Sequence, residues 1–83
     1  MAKYFFVYIL KSFFDGSQYV GMSSNPENRL LEHNRGKVRS TKKKVPWKII
    51  YLKDFPDRAS AREHEVYLKS AAGRRFRQKL LGN

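Results

Sequence analysis

The fold is decided by residues 4–22, which read YFFVYILKSFFDGSQYVGM. Tyr4 to Leu10 form an apolar run rich in aromatic and β-branched side chains, which is typical of a buried strand. The Asp15-Gly16-Ser17 cluster marks a turn, and a second short run follows it from Gln18 to Met22. The stretch therefore predicts a β-hairpin.

A helix and a third strand are predicted after the hairpin. Asn25 is a suitable N-cap because Pro26 follows it at the first helical position, and the helix should run to about Arg35. Gly36 is its expected stop. A further apolar run over residues 47–52, WKIIYL, suits a strand that is buried on at least one face.

Two helices are predicted at the carboxyl-terminal end. Asp57 or Ser60 can cap the first of them, and its apolar side chains recur at helical spacing: Ala61, Leu68 and Ala72. Gly73 is the expected terminator before a short basic third helix. The element order is then β-β-α-β-α-α, and we expect an α+β fold with a small three-stranded antiparallel sheet flanked by helices. A chain of 83 residues has room for a single domain, over residues 1–83.

Charge is the strongest signal of composition. Eighteen Lys and Arg against seven Asp and Glu give a net charge of +11, which makes nucleic acid the first partner to consider. No apolar run approaches the roughly 20 residues of a membrane span, and residues 2–7 lack a small-residue cleavage site, so we expect a cytoplasmic protein without a membrane partner. The absence of cysteine excludes disulfides and thiolate zinc sites.

The positive charge is concentrated between the first helix and the third strand. Six cations and no acidic residue fall within ten positions: Arg35, Lys37, Arg39, Lys42, Lys43 and Lys44. Gly36, Ser40 and Thr41 interrupt any helical or strand period, so the segment should be an exposed loop. Such a run is often only a solvated surface, but in a chain this basic it favours contact with nucleic acid.

Residues that could take part in catalysis occur at characteristic spacings along the sequence. Val7-Tyr8-Ile9 lies in the first strand and Tyr19-Val20-Gly21 in the second; Arg29 follows Tyr19 by ten residues, and His33 follows four later. Glu65 lies on the second predicted helix. This constellation resembles the GIY-YIG nuclease family over nearly the whole chain, and in particular a bacterial subgroup that consists of this domain alone.

The resemblance implies a role for each of these side chains. Tyr8 would help to take a proton from the attacking water, Tyr19 would position the scissile phosphate, and Arg29 would neutralise it. Glu65 would hold a divalent metal ion, Mg²⁺ or Mn²⁺. Both tyrosines and Arg29 should then converge at one edge of the sheet.

Tyrosine has a pKa of about 10 and is a poor base at neutral pH, so Tyr8 needs assistance. We expect surrounding cations to lower its pKa and His33, whose unperturbed pKa is about 6.5, to relay its proton. Arg29 and His33 share a helix face, so one substrate phosphate could reach both. Some family members place a lysine directly after the glycine of the second motif. Met22 stands there in this chain, which argues against a lysine-assisted base.

Simpler interpretations exist for the same residues. The tyrosines can be ordinary strand aromatics, and Glu65 can be one half of a surface pair with Lys69. At 100° per residue, however, Glu65 falls at the edge of the apolar stripe, whereas Glu63 falls on the opposite side, which favours Glu65 as the metal ligand.

The predicted function is metal-dependent hydrolysis of DNA phosphodiester bonds, selective for structure rather than for sequence. Two alternatives remain open. The chain can be a binding module for DNA or RNA with little catalytic activity, or a subunit that needs a protein partner.

Overall fold

The structure is a computed structural model, and it describes residues 4–80. Three strands, β1 (Phe5–Ser12), β2 (Gln18–Ser23) and β3 (Trp47–Phe55), form one antiparallel sheet in the order β2-β1-β3. Three α-helices accompany it: α1 (Pro26–Asn34), α2 (Arg58–Lys69) and α3 (Ala71–Leu80). The predicted α+β class and the predicted element order are confirmed.

The central strand contributes to a core on each face of the sheet. Because side chains alternate along a strand, Val7 and Ile9 point to one face, where they pack against Ala61 and Leu68 of α2. The neighbouring positions point to the other face, where Tyr8 and Leu10 pack with Trp47 and, at the periphery, Leu30 of α1. The chemistry expected of Tyr8 therefore belongs to the α1 face.

Helix α1 has the predicted ends. The side chain of Asn25 accepts a hydrogen bond from the backbone N–H of Asn28 at 3.2 Å, and Pro26 opens the first turn. The helix ends at Asn34, one residue before the predicted end. Gly36 then takes a φ of 75°, in the left-handed region that suits glycine after a helix.

The prediction that Gly73 ends the second helix is wrong, because Gly73 lies inside α3. The break comes at Ser70, whose hydroxyl accepts a hydrogen bond from the Gly73 N–H at 3.2 Å and so caps α3. Gly73 is buried against the end of α2, and glycine is required there because a Cβ would collide with the backbone of Tyr67 and Leu68. Ala72 consequently lies on α3 and is exposed, so it does not continue the stripe of α2.

Within residues 4–80, no helix combines the length and the apolar character that crossing a membrane requires.

Candidate active site

The two tyrosines lie on adjacent strands around a glycine. Tyr8 on β1 is the direct cross-strand partner of Gly21 on β2. A Cβ at Gly21 would come within 2.6 Å of the Tyr8 Oη and 3.1 Å of the Tyr19 Cε2. Glycine at this position therefore allows both tyrosine rings to approach the backbone of β2 closely.

A buried hydrogen-bonded chain leads away from Tyr8. Its hydroxyl lies 3.2 Å from Nε2 of His33, and Nδ1 of the same ring lies 2.7 Å from the Thr41 hydroxyl. The Thr41 hydroxyl in turn donates to the carbonyl of Val38 at 3.3 Å. Tyr8, His33 and Thr41 are all buried, so these bonds are shielded from solvent.

The partners in this chain assign the tautomer of His33. The Tyr8 hydroxyl proton needs an acceptor, and the guanidinium of Arg29 beside it can only donate. Nε2 of His33 is therefore the acceptor, and the single ring proton of neutral histidine resides on Nδ1, where Thr41 accepts it. Thr41 thus keeps Nε2 of His33 free to receive a proton from Tyr8.

Burial dominates the electrostatics of Tyr8. Desolvation raises the pKa of its phenol to about 12, against the opposing effect of the Arg29 guanidinium. Arg29 lowers this pKa, as expected of a neighbouring cation, but the desolvation of the buried phenol outweighs it, so the net shift is upward and not downward. Burial also lowers the pKa of His33, and the positive charge of Arg29 lowers it further. His33 is therefore neutral and able to accept a proton at neutral pH.

Arg29 and Tyr19 complete the cluster on the α1 face. The Arg29 guanidinium is half exposed and pairs with Glu32 at 2.8 Å, so one turn of α1 holds it at the mouth of the site. The Tyr19 ring packs edge-on to His33, with centroids 5.0 Å apart. The prediction that both tyrosines and Arg29 converge at one edge of the sheet needs correction. Tyr8 lies on the central strand, because β3 pairs with β1, and the cluster occupies a face of the sheet.

Glu65 extends from α2, which packs against the opposite face of the sheet. The residue is only 7% exposed, whereas Glu63 is exposed, as the helical angles predicted. Its carboxylate pairs with Arg62 at 2.8 Å and with Lys69 at 3.2 Å. Its negative charge reaches Tyr8 and helps to raise the pKa of that phenol, so the Glu65 carboxylate lies near the cluster on the α1 face.

The donor set around Glu65 fits one kind of metal ion. Mg²⁺ commonly uses one or two protein carboxylates and completes its shell with water and substrate phosphate. A cage of protein ligands does not fit, since residues 4–80 contain no group of three or more His, Asp or Glu able to hold a metal. Arg62 and Lys69 are largely exposed, so both cations can move aside for a metal at Glu65.

The basic segment, residues 35–44, is exposed at all six predicted cations. It is not a loose loop throughout, because residues 42–44 form a turn of 3-10 helix and Thr41 is buried beneath it. The Trp47 indole N–H also donates to the Thr41 carbonyl at 2.9 Å. The burial of Thr41 and its hydrogen bond with Trp47 thereby fix the backbone of the basic segment beside the site.

Thr41 is absent from the predicted site residues, as are the exposed rings of Phe13 and Phe14. The sequence signal that marks Thr41 is weak: it is a β-branched residue with a hydroxyl group within a run of cations. For Phe13 and Phe14, the signal is a pair of aromatic residues immediately before a turn, where apolar side chains are unusual.

The fold and this cluster define the class of protein. The family model of the GIY-YIG catalytic domain matches residues 4–79, and the chain belongs to this family, whose fold is that of nucleases. The resemblance seen in the sequence is thus confirmed.

The chain is similar to several small UPF0213 proteins. The one from Nitratidesulfovibrio vulgaris is 37% identical over 65 residues, which are 77% of this chain and 58% of that protein. The one from Staphylococcus haemolyticus is 37% identical over 71 residues, which are 84% of each chain. A solution NMR structure of a UPF0213 protein from Bacillus halodurans matches 95% of this chain and 83% of its own, with a TM-score of 0.55 and 28% sequence identity.

Proposed function

We propose that the chain is an endonuclease that hydrolyses phosphodiester bonds of DNA with a divalent metal ion, Mg²⁺ or Mn²⁺. The observation that carries the proposal is the buried chain from Tyr8 through His33 to Thr41, beside the guanidinium of Arg29. A surface built only for binding has no need of a neutral histidine buried against a phenol. General acid–base catalysis uses a positioned side chain that can accept a proton, and neutral His33 beside Tyr8 is such a group.

Proton transfer is assigned to Tyr8 and His33. With a pKa raised to about 12, Tyr8 does not hold a free phenolate at neutral pH. As Nε2 of His33 accepts the phenol proton, the Tyr8 oxygen becomes able to take a proton from the attacking water. Thr41 acts through His33 and is a positioning residue.

Charge stabilisation is assigned to Arg29 and Glu65. Arg29 offers a planar fork of donors that fits two phosphate oxygens, and it is exposed enough to exchange Glu32 for a phosphate. Tyr19, packed against His33, positions that phosphate. Glu65 would hold the metal ion, which supplies Lewis-acid stabilisation of the phosphate charge when bound.

The partner would be nucleic acid, with DNA favoured over RNA. The basic segment would hold it mainly through its phosphates. Such binding does not read sequence, so selectivity for DNA structure is expected. The raised pKa of Tyr8 specifically favours a second candidate, a nucleic-acid-binding module with a very slow catalytic step.

The test is whether the purified protein nicks supercoiled, branched or single-stranded DNA with Mg²⁺ or Mn²⁺, and whether chelation of the metal stops it. Metal-dependent nicking supports the endonuclease. Tight binding without cleavage of any of these substrates supports the binding module.

A further inference from the structure

Two adjacent aromatic rings project from the tip of the β1–β2 hairpin. Phe13 is 57% exposed and Phe14 is 71% exposed, more than any other large hydrophobic side chain in residues 4–80. Isolated exposed apolar residues are common on proteins. Two neighbouring phenylalanines with this exposure form a patch. While they are exposed, they contribute none of the stabilising free energy that burial of two aromatic rings would provide.

The backbone beneath the rings is fixed. The buried Ser12 hydroxyl accepts from the backbone N–H groups of Phe14 and Asp15, at 3.1 and 3.2 Å, and donates to the carbonyl of Lys44 at 2.6 Å. The N–H of Phe13 donates to the carbonyl of Pro46 at 2.8 Å. The rings are therefore presented on a held turn, which reduces the entropy lost when a ligand stacks on them.

Cations surround the aromatic patch. The ammonium groups of Lys48 and Lys11 lie 5.0 and 5.8 Å from the centroid of the Phe13 ring. Asp15 is the acidic residue of the turn, and Lys44 pairs with it at 3.4 Å. Because Lys44 belongs to the basic segment, this ion pair joins the hairpin turn to that segment.

We propose that Phe13 and Phe14 form a stacking site for unpaired nucleobases. Aromatic rings inside a cationic surface match a nucleic acid strand, whose bases stack on the rings while its phosphates meet the lysines. An apolar protein partner would have to bury these ammonium groups without counter-charges, which is costly. The proposal rests on the proposed function in taking nucleic acid as the substrate.

The position of the site specifies the substrate class. Phe13 follows Tyr8 by five residues and lies in the turn directly after β1, so at about 3.3 Å per residue the two Cα atoms are at most roughly 16 Å apart. Since a nucleotide stacked as in duplex rises roughly 3.4 Å and an unpaired one can extend further, that distance spans at most about five nucleotides of one strand. Fully paired duplex offers no free base there, so the preferred substrate carries a single-stranded, flapped or frayed segment within about five nucleotides of the cut.

The test compares single-stranded and duplex binding in the presence of chelator, so that no cleavage occurs. The probes are a labelled oligothymidylate of about 16 nucleotides and a duplex of the same length. The F13A/F14A variant should bind the single strand about tenfold or more weakly and the duplex essentially as the parent does. F13L/F14L, which keeps apolar bulk without aromatic rings, should show the same selective loss.

A second readout uses a thymidylate tract with abasic sites in place of several bases. The parent should lose affinity for it, and F13A/F14A should not lose further, because the stacking partners are already missing. Thermal unfolding of the exposed-site variants should match that of the parent.

Three results would overturn the proposal, and they are distinguishable. A parent that binds neither probe removes nucleic acid as the ligand and the proposed function with it. A parent that binds both probes, with F13A/F14A equal to it on the single strand, refutes the stacking site alone. Loss of a dimer in F13A/F14A, with single-strand affinity kept, makes the patch a contact between two copies of the chain.

Discussion

The hydroxyl of Thr41 lies 2.7 Å from Nδ1 of His33, and it joins the basic segment to the proton-accepting side of the site. A carboxylate or a backbone carbonyl often orients a catalytic histidine through the same ring nitrogen. Here a neutral hydroxyl does so, and it can be altered without changing the charge of the site.

The first prediction concerns this hydroxyl. Thr41→Val keeps the shape but removes the acceptor for the Nδ1 proton, so the tautomer of His33 should shift and Tyr8 should lose its acceptor. Cleavage should fall by about 100-fold, the lower range of general acid–base contributions. Thr41→Ser should retain most of the activity. Nitrogen NMR of the His33 ring checks the tautomer independently of activity, and an unchanged tautomer in Thr41→Val would remove the positioning role.

A second prediction separates the enzyme from a binding module. Glu65→Gln should abolish cleavage and leave DNA affinity intact, because glutamine has similar shape and helix propensity but presents a neutral carbonyl to the metal ion. Glu63→Gln, on the exposed side of α2, is the matched control and should stay active. The measurement is initial nicking rate at saturating DNA. Parental rates in Glu65→Gln would exclude this carboxylate from the mechanism.

The third prediction concerns the shape of the phosphate-binding group. Arg29→Lys should not restore the activity lost in Arg29→Ala, because an ammonium keeps the charge but not the two-pronged fit to phosphate. The loss should appear in rate more than in affinity, as measured by single-turnover cleavage and by binding under chelation. Equal rates for Arg29→Lys and the parent would reduce Arg29 to a long-range charge.

Salt dependence tests the basic segment. Log affinity against log salt concentration should slope by about −0.9 per phosphate contact on duplex DNA and about −0.7 on single strands. Replacing Lys42, Lys43 and Lys44 by alanine should flatten the slope on all sequences alike. A slope that survives this triple substitution would place the phosphate contacts elsewhere.

A fifth prediction follows from the lowered pKa of His33. The unfolded ring has a pKa near 6.5, so as pH falls below that value the unfolded state takes up a proton that the folded state refuses. The free energy of unfolding should be constant just above neutrality and decrease from about pH 6.5 downward. His64, whose pKa is lowered by burial and by Lys53, adds to the same effect.

Urea denaturation between about pH 5 and 8 measures this slope. His33→Gln and His64→Gln should each reduce it. A slope unaffected by His33→Gln would show that the folded ring titrates normally.

The sequence could predict the residues that a local pattern determines. Tyr8 and Tyr19 lie on paired strands because a turn at Gly16 brings their strands together, and α1 follows from the Asn25 cap. Glu65 could be separated from Glu63 because helical geometry alone sets their angles.

The remaining features depend on tertiary packing. The direction of the Tyr8 pKa shift depends on the depth of its burial under α1, which no motif encodes. The bond between Thr41 and His33 depends on how an irregular segment folds back over eight residues. Gly73 looked like a terminator, but close packing of α3 on α2 explains it instead.

The burial of Thr41 within the basic segment has a consequence for loop length. Surface connections usually accept inserted or deleted residues, because their backbone rests on nothing else. Here the connection from α1 to β3 contacts buried groups at two points. Thr41 binds the imidazole of His33, and the carbonyl of Lys44 accepts a hydrogen bond from the hydroxyl of Ser12 in the hairpin. Even a one-residue insertion between Arg39 and Lys42 should displace the hydroxyl from the ring. Grafting a longer DNA-binding loop between Arg39 and Lys42 should therefore fail for the same reason.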